Sequence, residues 1–194
     1  MSDFKEFENL YSVRFRNKGY KRKRLLAPDR EFEFLNFLMR ALGENVFVIS
    51  TGLGMDVYYT SSHDQSVFIE KNLWIFRPET EESDAIALAE VHSGNDVILY
   101  FNTVVQSLSG HPQLFLSCCK KLISKFNTTG VETPLNKLLY NCFDEQLNRL
   151  SIKDNVPFAL KIAQIRSKNE HPFLKSYNTV RHLAEEYLAA DHIN

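Results

Sequence analysis

The sequence predicts an α+β fold: an antiparallel sheet of about four strands within residues 45–102, helices before it, and a layer of about four helices after it. Three observations carry this. The apolar period is helical up to Gly43, extended from Asn45 to about Asn102, and helical again beyond. Pro112, Pro134, Pro157 and Pro172 each stand before an amphipathic run, the place proline takes in the first turn of a helix. Finally, 194 residues with 44% hydrophobic content, 15 Phe and 8 Tyr hold enough apolar surface to offset the entropy of ordering a core. A single compact domain over 1–194 is expected, with a sub-domain boundary, if there is one, between an α/β part (1–102) and a helical part (103–194).

A first helix is predicted over Phe4–Tyr11, because Asp3 and Glu6 stand at capping-box spacing and Phe4, Phe7, Leu10 and Tyr11 share a stripe. The basic run after it is expected to be a loop. Pro28-Asp29 opens a second helix that ends at Leu42; Phe34, Leu35, Leu38 and Leu42 line one side, and Gly43 is the stop. Val46–Ser50, Val57–Thr60 and Val67–Phe76 are β-branched or aromatic runs separated by Gly52-Leu-Gly54 and Ser62-His-Asp-Gln65, and they read as a meander. Gly52-Leu-Gly54 is a hairpin turn and not a phosphate cradle, since a strand follows it.

Residues 79–92 read as a helix, with Pro78 at its start, acidic residues in the first turn and Gly94 beyond its end. Ile86, Leu88 and Val91 leave a strand open as the alternative. Val97–Phe101 is expected as the last strand, followed by a short helical turn ended by Gly110. The four helices behind it carry the stripes Phe115, Cys118, Cys119, Leu122, Phe126; Leu135, Leu138, Leu139, Cys142, Leu150; Phe158, Ile162, Ile165; and Leu174, Tyr177, Val180, Ala184, Leu188.

The formal charge of −1 conceals an asymmetry. Residues 14–24 hold Arg14, Arg16, Lys18, Lys21, Arg22, Lys23 and Arg24 with no acidic residue, and setting those seven aside leaves 16 basic against 24 acidic. The counterweight is Glu79, Glu81, Glu82, Asp84, Glu90 and Asp96. Closely spaced cations with Tyr20 among them can contact successive phosphates and stack on an unpaired base, which is the physics of a nucleic-acid-binding arm. Arg14, Arg16, Lys18, Tyr20, Lys21, Arg22, Lys23 and Arg24 are therefore the candidate nucleic-acid contacts. The alternatives for the same charges are an acidic protein partner, or self-association of the basic arm with the acidic 79–96 stretch.

The predicted order of helix, three strands, helix and strand resembles the core of the restriction-endonuclease-like nucleases. That resemblance implies a carboxylate on the second strand and an acidic-x-lysine pair on the third, holding Mg²⁺ or Mn²⁺. Asp56 and Glu70 take these places, with Glu31 or Glu33 on the helix before them. The lysine is displaced, since Glu70 is followed directly by Lys71 and then Asn72. The same order also resembles double-stranded-RNA-binding domains, which place lysines where this chain has Glu79, Glu81, Glu82 and Asp84, and the small secretion chaperones. No complete catalytic set is visible. A non-enzymatic binding or regulatory protein is therefore expected, with nucleic acid the leading partner. A metal-dependent nuclease using Asp56 and Glu70 is one alternative, and a protein-interaction or chaperone-like module is another.

No cofactor or resident metal is expected outside the nuclease alternative. Cys118, Cys119 and Cys142 read as buried hydrophobes because their spacing with His111 fits no recognised zinc pattern. With no apolar run of membrane-spanning length and a polar Met1-Ser2-Asp3 start, a soluble, cytoplasmic protein with no membrane partner is expected.

Overall fold

Alternating side chains decide the architecture, because in a strand each face collects every second residue. Leu10-Tyr-Ser-Val-Arg-Phe-Arg-Asn17 sends Val13 and Phe15 to one face and Leu10, Ser12, Arg14 and Arg16 to the other. In a computed structural model, which describes residues 9–17, 24–51, 54–77, 86–128, 133–152 and 156–168, this segment is strand β1 (Leu10–Asn17). The other elements are α1 (Pro28–Leu42), β2 (Val46–Thr51), β3 (Gly54–Thr60), α2 (Ser66–Phe76), β4 (Ile86–Ser93), α3 (Asn95–Ser109), α4 (Pro112–Thr128), α5 (Pro134–Ile152) and α6 (Ala159–Lys168).

The four strands form one antiparallel sheet in the order β2-β3-β1-β4. Both of its faces are covered. On one, Val13, Phe15, Val46, Val48, Met55, Val57 and Tyr59 meet Phe34, Leu35 and Leu38 of α1 and Ile69 and Leu73 of α2. On the other, Leu10, Phe47, Ile49 and Tyr58 meet the buried stripes of α3, α4 and α5, with Ile162 of α6 joining them. Helix, sheet and helix layers thus share the sheet as their common wall.

The α+β class, the four-stranded antiparallel sheet and the helical layer after it are as the sequence predicts. The membership of the sheet differs. Leu10 and Tyr11 belong to β1 and not to a helix, and β1 lies outside the 45–102 span. Its alternation is obscured in the sequence because Arg14 and Arg16 occupy one face of a strand that has helices on both sides. The expected third strand, Val67–Phe76, is helix α2: Ile69 and Leu73, four apart, are fully buried, while Val67, Trp74 and Ile75 are exposed. Residues 86–93 form a strand, the alternative reading, and hydrogen-bond to β1. Val97–Phe101 lies inside α3, where Val97, Phe101, Val105 and Leu108 make one buried helical stripe.

The α1 bounds, the β2–β3 hairpin and the proline starts of α4 and α5 match the sequence reading. The helices expected around Phe4 and after Pro172 lie outside the described residues. At the hairpin, Gly54 has φ +142, and a Cβ there would stand 2.5 Å from the carbonyl oxygen of Phe15, so glycine is what lets β3 lie against β1 at that point. Among the described residues, no helix is long and apolar enough to cross a membrane.

Candidate functional site

The predicted site residues separate into three places. The first is a polar network between the sheet and α3. Arg14 on β1 and Asp56 on β3 are register partners, both buried, with Arg14 Nη1 3.6 Å from Asp56 Oδ1. The Tyr100 hydroxyl, on α3, donates to Asp56 Oδ1 at 2.8 Å and accepts a hydrogen bond from Arg14 Nη1. The His92 ring stacks on Tyr100 with centroids 4.3 Å apart, Glu90 Oε2 lies 3.6 Å from His92 Nε2, and Arg16 Nη2 donates to Glu90 Oε1 at 2.6 Å.

Loss of water pushes the Asp56 carboxyl up from its ordinary value, and the Arg14 charge and the Tyr100 hydrogen bond pull it back. Burial works against the Arg14 guanidinium, yet Asp56 and Tyr100 outweigh it and hold it above its ordinary value. Burial, with Asp56 beside it, also pushes the Tyr100 phenol up. The result is a charge-balanced tie between β1, β3 and α3. Arg14 is thus turned into the protein, and Arg16 already meets an acidic residue of its own chain.

The nuclease residues are not brought together. Glu70 is on α2, whose buried residues pack on one face of the sheet, whereas Asp56 points to the other. Lys71 is exposed on the same helix, and the Asn72 amide donates to the Phe68 carbonyl at 2.8 Å. Glu33 pairs with Arg30 at the surface at 2.8 Å. A guanidinium against Asp56 repels the divalent cation that reading requires. Among the described residues, no three His, Cys, Asp or Glu are grouped to hold a metal ion. The helix, three strands, helix and strand order that carried the resemblances is not the order the chain adopts.

The third place lies at the sheet border formed by β2, and sequence reasoning missed most of it. Glu31 of α1, 2% exposed, is held by two lysines of α4: Lys121 Nζ at 2.6 Å from Oε2 and Lys125 Nζ at 2.5 Å from Oε1. Lys121 also donates to the carbonyl of Ser50 on β2. Beside them is a cavity of about 40 Å³ lined by Arg24, Ser50, Thr51, Leu108, Leu114, Ser117, Cys118 and Lys121. Burial lowers the Lys121 pKa; Glu31 opposes that shift, while the Lys125 and Arg24 charges add to it.

Burial pushes the Cys118 thiol up to about 12, so this wall is neutral near physiological pH. Arg24, the last cation of the basic run, is exposed and faces this cavity. Lys18, Tyr20, Lys21, Arg22 and Lys23 lie outside the described residues, as do Glu79, Glu81, Glu82 and Asp84. Two signals in the sequence point to this place. Glu31 falls on the apolar stripe of α1, three and four residues before Phe34 and Leu35, and Lys121 and Lys125 are spaced to share one face of α4.

The chain matches no family model, no curated protein and no solved structure.

Proposed function

We propose that this chain is a binding protein for phosphate-bearing polyanions, with nucleic acid the leading partner, and that its contact surface is the basic run where it reaches the β2 border. One observation carries the reading. Arg24 closes the run and lines the same cavity as Lys121, which shares the Glu31 carboxylate with Lys125, so that cations from the run and from α4 stand together at this border. Cations on neighbouring elements track a phosphate backbone and release counterions on contact.

Arg14 and Arg16 take no part, being engaged by Asp56, Tyr100 and Glu90. The working contacts are Lys18, Lys21, Arg22, Lys23 and Arg24, together with Lys121, which lines a cavity with Arg24. The test is fluorescence anisotropy with single- and double-stranded DNA and RNA at two salt concentrations. Substituting Arg22, Lys23 and Arg24 by Ala should weaken binding about equally for all sequences and flatten the logarithmic salt slope by about one per contact removed. Unchanged affinity in that variant would refute the reading.

A further inference from the structure

The cavity at the β2 border narrows the class of ligand, a step that rests on the nucleic-acid reading proposed for the basic run. Its volume of about 40 Å³ is that of a small recess, open to solvent at Arg24 and Ser117, with room for a compact polar group. A phosphodiester inside a strand carries two ester arms that must both leave such a space. A terminal phosphate carries one arm and presents three outer oxygens.

The lining suits those oxygens. The Arg24 guanidinium offers a planar fork that matches phosphate geometry. Lys121 spends one N–H on Glu31 and one on the Ser50 carbonyl, which leaves a third, and Ser117 adds a hydroxyl at an exposed position. Among the described residues, no carboxylate lines the cavity, while Leu108 and Leu114 form an apolar wall against which charge interactions are weakly screened. We propose that this cavity takes a phosphate monoester, either the phosphorylated end of a nucleic-acid strand or a free nucleoside monophosphate.

An anion seated there would also relieve the loss of hydration that holds Lys121 below its ordinary pKa. Affinity should accordingly fall as pH rises through the Lys121 titration.

The experiment compares otherwise identical labelled strands carrying a 5′ phosphate, a 3′ phosphate or neither, alongside calorimetry with adenosine monophosphate. One phosphorylated form should bind about ten-fold tighter or more, the worth of one charge-assisted contact. That preference should vanish in Arg24→Glu and Ser117→Glu, both at exposed positions where folding is not at stake. Three forms binding within about two-fold of one another would overturn the assignment and leave the nucleic-acid reading standing. Adenosine monophosphate binding that both variants abolish, with no strand bound, would uphold the cavity and overturn the nucleic-acid reading. If neither strand nor nucleotide binds, both are refuted.

Discussion

Replacing Arg14 by Met tests the buried network most directly. The two charges are 3.6 Å apart, with side chains 9% and 8% exposed. At an effective dielectric constant of about 20, that separation corresponds to roughly 4.6 kcal/mol of attraction. Met keeps the length and apolar stem of the side chain but leaves Asp56 with only the Tyr100 hydroxyl. Removing one member of a buried pair costs roughly 3–5 kcal/mol, and at about 2–4 °C per kcal/mol for a chain of this size the thermal midpoint should fall by roughly 6–20 °C.

The pH dependence gives a second readout. Burial already raises Asp56 above its ordinary 3.8, and Arg14 is the strongest influence holding it down. A carboxyl whose folded pKa is raised contributes stability that is present below its unfolded pKa and is lost as pH rises through the folded one. The deficit of Arg14→Met should therefore be smallest near pH 4 and widen toward pH 7. The double variant Arg14→Met/Asp56→Leu should recover to within about 1–2 kcal/mol of the parent. Urea unfolding followed by far-UV circular dichroism and by Trp74 fluorescence measures all three proteins. A single-variant loss below about 1 kcal/mol, or a deficit that does not change with pH, would refute the reasoning.

Three further outcomes are expected. Gly54→Ala places a Cβ 2.5 Å from the Phe15 carbonyl oxygen at φ +142, and should cost at least about 1–3 kcal/mol in a thermal melt. Glu31→Gln removes the carboxylate between Lys121 and Lys125; because both lysines keep partial contact with water, the loss in urea unfolding should be about 2–3 kcal/mol. Burial pushes Cys118 up to about 12 and Cys142 up to about 11, and holds Cys119 well above its ordinary value. A thiol reagent at pH 8 should therefore label all three slowly in the folded protein and rapidly in denaturant.

The sequence makes legible what is local. Pro28 and Gly43 bound α1, Pro112 and Pro134 start α4 and α5, and glycines mark the β2–β3 hairpin, because each signal lies within a few residues of the geometry it sets. What escapes is set by partners far along the chain. Val67–Phe76 has the composition of a strand, and only the sheet beneath Ile69 and Leu73 decides for a helix. Arg14 and Arg16 look like part of a solvated basic run until Asp56, Tyr100 and Glu90 come within reach. Glu31 and Lys121, 90 residues apart, carry no mutual signal beyond two side chains that break or flank an apolar stripe.

The Lys121 hydrogen bond to Ser50 has a further consequence. A border strand presents unsatisfied backbone groups that invite a strand of another chain, and such pairing seeds aggregation. At β2, one of those carbonyls is occupied by an ammonium group that Glu31 holds in place. A foreign strand would have to displace this group and strand its charge. The same lysine that lines the cavity therefore also blocks strand addition at this carbonyl, and variants that free β2 from it should precipitate on storage before they lose measurable secondary structure.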